Sequence, residues 1–312
     1  MKIDRGVGAG LLVVLLWASA FPAIQVAVPR LGAIGLSFVR LAVAMVALLL
    51  MASVKRVRIP RARDLGWIVA AGFFGMTAYQ LLLNGSELAV PAGTASIIVA
   101  AAPLVSVLVA RLLFQERIAL RTVIGSMIAL AGVLIVCLAR AGLSLSASVW
   151  IAVAAMAVQG IYHPLQRPLL RTYSGFEVAT YAMIAGTVMT LPLVPLGWHE
   201  LIGASSGGWI AAIYLGLLPS AVGFVLWGYA VGRLPVAAST SLLYLVPPVA
   251  VLIAWLWLGE LPLVIELLGG LVVVVGVVVI SQGGRILARI RTQTQRRSRP
   301  RPGDQRTEAS RV

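Results

Sequence analysis

Two long apolar hairpins constrain this chain more than any other feature. From Pro235 to Ile280 it reads PVAASTSLLYLVPPVAVLIAWLWLGELPLVIELLGGLVVVVGVVVI, broken only at Gly259-Glu260-Leu261-Pro262. Such a run holds two membrane-crossing helices of roughly 20 apolar residues each. The design occurs earlier, from Pro91 to Ile135. A shift of 144 positions, Pro91 onto Pro235, lays Pro103 on Pro247, Glu116 on Glu260, Gly125 on Gly269 and Gly132 on Gly276. A Pro, a Glu and two Gly at one offset mark one structural unit used twice.

Hydrophobic residues make up 60% of the 312 and charged residues only 11%. A soluble domain carries about a quarter charged residues, so no water-facing surface can be built from the middle of this chain. In lipid, backbone polar groups must be satisfied within the spanning structure itself. The apolar runs are continuous and do not alternate, which selects helices over a barrel. The lone Cys137 excludes an intrachain disulfide framework or cysteine metal site.

The expected spans are Val7 to Val28, Gly32 to Ala52, Leu65 to Leu83, two in the first hairpin, Ala147 to His163, Phe176 to Leu196, Gly208 to Val231, and two in the second hairpin. Ala18-Ser19-Ala20 resembles a signal-peptidase site, but Pro22 and the continuing apolar stretch favour a retained helix. The sixth span is expected to end in a polar, proline-broken stretch, Gln159 to Pro164. With the N-terminus inside, the inward loops hold Lys55, Arg56, Arg58, Arg61 and Arg63, then Arg117 with Arg121, Arg167 with Arg171, and Arg233. The outward loops hold Arg30, Glu87, Arg140, Glu200 and Glu260. This bias obeys the positive-inside rule for ten spans. Five spans per copy is odd, so the second copy enters from the opposite side, as in transporters built from inverted repeats. The nine arginines from Arg285 onward form a basic cytoplasmic tail that suits anionic lipid headgroups or simply fixes orientation; nucleic acid is not an expected partner.

The chain resembles the EamA-type permeases of the drug/metabolite transporter (DMT) superfamily. The resemblance rests on Leu16-Trp17-Ala18-Ser19-Ala20-Phe21, on Val39-Arg40-Leu41-Ala42, and on Pro103…Glu116…Gly125 with Pro247…Glu260…Gly269. Gln115 departs from the Gly259 that precedes Glu260 in the second hairpin. The resemblance covers the chain to about Gln282 and implies ten helices in two inverted halves, 1–140 and 141–282, followed by the tail 283–312. It also implies export of amino acids or other small metabolites.

Arg40 is the sharpest candidate for substrate contact. A charge in mid-span costs at least about 2.5 kcal/mol, so it must face a cavity or a partner. Its planar fork suits a substrate carboxylate; the alternative is a helix-end carbonyl or snorkelling. Trp17, Tyr79, Gln80, Asn84, Gln159, Tyr162, His163, Trp227 and Tyr244 are the other polar or amphipathic side chains in or near spans. They either line an aromatic-walled cavity with Arg40 or anchor the helices at the interfaces. His163 is a possible proton site or a structural histidine. Glu116 and Glu260 read as helix-start carboxylates, Glu87 as a solvated loop residue, Pro103, Pro247 and Pro248 as bends within spans, either hinges or packing kinks, and the matched glycines as close helix contacts.

A polytopic membrane enzyme acting on a lipid-linked substrate is the rival class. Its machinery is not in the sequence. The three Asp residues, Asp4, Asp64 and Asp304, fall outside the core, and His199-Glu200 lacks the second His of a metalloprotease helix. The expectation is therefore an all-α, ten-helix secondary transporter, not an enzyme, in the cytoplasmic membrane. It has both termini inside, no cofactor, no metal, and a small-molecule substrate bound between the halves. Oligomeric state and coupling by proton antiport, exchange or facilitated diffusion stay open on sequence alone.

Overall fold

The structure is a computed structural model that describes residues 5–55, 57–115, 120–141, 147–231, 242–276 and 278–279. Glu116, Arg117, Arg233, the start of the second hairpin and the basic tail lie outside the described residues. The described residues are mostly helical, with no strand among them. Six helices are long and apolar enough to cross a membrane: α1 (Arg5–Val54), α2 (Ala62–Ser86), α3 (Ala92–Phe114), and, after α4 (Leu120–Ala141), α5 (Ala147–Leu170), α6 (Gly175–Ile202) and α7 (Ser206–Ala230). The shorter apolar helices α8 (Leu243–Leu258) and α9 (Val264–Gly276) follow.

At about 1.5 Å per residue, the 50 residues of α1 exceed twice the roughly 30 Å of a bilayer core. The helix does not run straight. Gly32 sits at φ 66°, ψ 165°, a conformation an L side chain rarely adopts, and breaks α1 between the first two expected spans.

Proline and π-turn geometry recur between the halves. α3 stops after Val99 and restarts at Ala102, with Pro103 in the first positions of the new helix. Pro247 stands the same way after the 3-10 turn Leu243–Leu245. Both prolines thus open helices, where the missing N–H costs nothing, and do not kink a continuous one. The helices they open end in left-handed residues at matched positions, Gln115 (φ 54°) and Gly259 (φ 71°). The third helix of each half carries a π-helical turn, at Phe73–Ala78 and at Gly216–Val222.

The sixth span does not end at His163 as expected. α5 continues through Pro164 and Pro168 to Leu170. Pro164 cannot donate to the carbonyl four residues back, which belongs to Gly160. Ser106 Oγ takes that place, donating to Gly160 O at 2.8 Å. A neighbouring hydroxyl therefore satisfies the group that would otherwise have stopped the helix in lipid.

The matched glycines bring α4 and α9 together antiparallel. A Cβ on Gly132 would stand 2.7 Å from Gly269 O, and one on Gly276 would stand 2.6 Å from Gly125 O. Backbone meets backbone at both ends of this contact, which only glycine permits.

Candidate substrate site

The first helix of each half packs against the π-turn of the other. In the turn Gly216–Val222, Gly223 N reaches back to Leu218 O, skipping Pro219 O. Trp17 Nε1 donates to that freed carbonyl at 3.0 Å. Tyr162 occupies the corresponding place on α5, with its ring against Gly75 in the π-turn of α2. Trp17 and Tyr162 both reach Phe224, at ring-centre distances of 5.4 and 6.4 Å. Trp227 stands 5.6 Å from Trp17, and His163 stands 5.8 Å from Tyr162. Four of the aromatic candidates thus form one cluster with Phe224 at its centre.

The polar candidates meet at the same π-turn. Arg40, only 5% exposed, donates from Nε to Ser220 Oγ at 2.9 Å. Its Nη1 has no hydrogen-bond partner. The groups that act on it electrostatically are Tyr79 and Glu87. Ser37, one turn before Arg40, faces α2, where its Oγ accepts from Asn84 Nδ2 at 2.8 Å. Gln80, Asn84 and Glu87 follow at spacings of four and three, so they share one face of the helix end. Gln80 Oε1, Asn84 Oδ1 and both carboxylate oxygens of Glu87 are buried without a hydrogen-bond partner. Gln159 Oε1 and the Tyr162 hydroxyl on α5 are buried the same way. Buried polar atoms are almost always paired, so seven such atoms on α1, α2 and α5 single out this region as the candidate site.

Glu87 corrects the sequence reading. It was expected in a solvated loop, but it caps the C-terminus of α2 at 1% exposure. Its signal was legible: spacings of four and three from Gln80 extend the polar face one turn past the apolar run. Ser37, Ser220 and Phe224 were also missed, because small hydroxyls and a phenylalanine in apolar helices look like packing. Tyr244 packs half-buried against the larger apolar cluster.

Near the end of α2 that carries Glu87, Glu260 acts electrostatically on it. Glu266 accepts from Thr94 Oγ1 at 2.6 Å and from Leu263 N at 2.8 Å, tying α3 to the start of α9. At the opposite face, Arg58 grips Glu177 through Nε at 2.9 Å and Nη2 at 2.8 Å, and Tyr181 donates to Arg58 O. The hydrogen bond to Glu177 holds the Arg58 guanidinium above its ordinary pKa range.

Six helices long and apolar enough to cross a membrane, with a buried cation and acceptor face among them, make this a multi-pass membrane protein with polar groups inside its bundle. The model of the EamA-like transporter family matches residues 4–138 and again 146–282, and the chain belongs to that family. A protein of Streptantibioticus cattleyicolor named "Probable terminal-alkyne amino-acid exporter" is 48% identical over 303 residues, 97% of this chain and 99% of its own. The "Uncharacterized transporter YdfC" of Bacillus subtilis is 34% identical, over 85% of this chain and 87% of its own. A solved crystal structure superposes with a TM-score of 0.64 at 19% identity, covering 89% of this chain and 98% of its own, and supports the fold. The chain is a transporter, not an enzyme.

Proposed function

We propose that this protein exports a small amino-acid-type metabolite across the cytoplasmic membrane by alternating access. In this reading ten membrane helices form two inverted five-helix repeats, 1–140 and 141–282. The tail 283–312 and both termini face the cytoplasm. The break at Gly32, which separates two spans in α1, and the antiparallel contact of α4 with α9 support this arrangement. The cargo binds between the repeats, where Arg40 holds its carboxylate and the cluster of Trp17, Tyr162 and Trp227 walls its apolar part.

The observation that carries this reading is Arg40: a buried guanidinium anchored at Nε by Ser220, with Nη1 unpartnered. A carboxylate is the partner whose geometry matches that fork. The exporter name of the Streptantibioticus relative supports the substrate class and direction. The test is untargeted mass spectrometry of spent medium from cells overproducing the wild type, beside Arg40→Ala at matched protein level. A group of amino-acid derivatives that rises with wild type alone supports the reading. A medium unchanged by wild type contradicts export, and an equal rise with Arg40→Ala contradicts the role of Arg40.

A further inference from the structure

We propose that the Gln80–Asn84–Glu87 face of α2 is an ammonium site. Together with Arg40 it clamps a free amino acid as its zwitterion, and a proton competes with the ammonium for Glu87, so that export is exchanged for proton entry. This rests on the export reading above and names the feature of the cargo that the site recognises.

The orientation of Asn84 is fixed by its neighbours. Ser37 Oγ donates its single proton to Ala33 O at 2.6 Å, so toward Asn84 it can only accept. Asn84 Nδ2 therefore faces Ser37, and Oδ1 is the atom left without a partner. With Gln80 Oε1 and the two oxygens of Glu87, the face presents a row of unpartnered acceptors. The complement of several acceptors and a carboxylate is a compact cation with several N–H donors, which describes an ammonium.

Arg40 does not serve as that cation. The guanidinium and the Glu87 carboxylate act on each other electrostatically, yet they form no ion pair within 4.0 Å. Asn84 meets Ser37 at 2.8 Å where α2 crosses α1, and Arg40 and Glu87 each stand three residues from that contact, so the two charges bracket it without pairing. A molecule with carboxylate and ammonium on one carbon lies between them, pairing each buried charge with its opposite. Buried charges without partners are costly, so a ligand that pairs both is favoured there.

The other groups that face Glu87 electrostatically are Tyr79 from α2 and Glu260 from the turn between α8 and α9. The cycle balances. Facing out, a proton from external water adds to a Glu87 oxygen and the ammonium leaves with the amino acid. Facing in, the next ammonium binds as that proton passes to cytoplasmic water. One zwitterion leaves and one proton enters, so the exchange carries charge and responds to membrane potential.

The test uses the purified full chain in liposomes loaded with labelled 2-amino-4-pentynoic acid, a small terminal-alkyne amino acid, or with its N-acetyl derivative, which keeps the carboxylate and loses the ammonium. Wild type is expected to release the free amino acid at least about 10-fold faster than the N-acetyl form, the worth of one charge-assisted contact. An acidic exterior should accelerate release. Glu87→Gln should abolish that acceleration, and Glu87→Asp should retain it. Equal release of both probes by wild type overturns the ammonium site and leaves the export reading standing, a comparison that needs no variant to fold. Acceleration that persists in Glu87→Gln overturns the proton exchange. Release of neither probe overturns both readings together.

Discussion

Arg40 shows how far one residue can be read from a sequence. Its cost in a membrane span is fixed by chemistry, so the sequence requires a partner for it, and the structure supplies Ser220 from a π-turn 180 residues away. Which partner it would find was not legible, since a serine in an apolar helix carries no signal of its own. Glu87 was misread for the opposite reason. An acidic residue past an apolar run looks like a loop, and only the extra turn of α2 buries it. Gln115 offers a clean test at this scale. It holds a left-handed conformation that its counterpart Gly259 adopts without penalty. Gln115→Gly should raise thermal stability in detergent, by about 1 kcal/mol, because it relieves the Cβ clash. An unchanged or lower Tm would contradict that assignment.

Helices were legible here as existing elements and illegible at their breaks. Continuous apolar runs mark spans, but a proline in a span can stop a helix, open one or be carried through it. Pro103 opens a helix after a break at Ala100, and Pro164 is carried through because Ser106 caps the orphaned carbonyl of Gly160. That choice is made by a neighbour across the bundle, which no local pattern reports. Ser106→Ala should destabilise the protein by roughly 1–3 kcal/mol, the cost of a buried acceptor left unpaired. Thermal denaturation read beside the exposed Ser53→Ala as control would measure it; equal Tm values would show that α5 does not need the hydroxyl. The glycine contact of α4 with α9 was legible from the repeat itself. Gly132→Leu should cost more than the usual 1–3 kcal/mol of overpacking, since the atoms it meets are backbone and cannot rotate away.

The twofold plan of the whole molecule was the most legible feature, because duplication leaves a fixed offset that survives where single residues drift. The offset that aligns Pro103 with Pro247 also aligns the left-handed caps and, within a residue, the two π-turns. An asymmetry laid over that plan is harder to see: Gly216 packs on Arg40 O where its counterpart Gly72 packs on Ala182 O, so the buried cation belongs to one repeat and its Ser220 partner to the other. The proposed orientation rests on the basic loops. Reporter fusions at Ala62 and Ser205 should give opposite signals, cytoplasmic and external, and equal signals would contradict the ten-helix plan.

The central claim is that the Arg40 fork holds the carboxylate of an exported amino acid. Arg40→Lys keeps the charge and removes the fork, so it separates the two. The rate of export of 2-amino-4-pentynoic acid from liposomes, at matched protein level and matched thermal stability, measures the difference. Export should fall by about 10-fold or more, since a charge-assisted hydrogen bond is worth roughly 1.5–3 kcal/mol. An Arg40→Lys protein that exports as fast as wild type would contradict it.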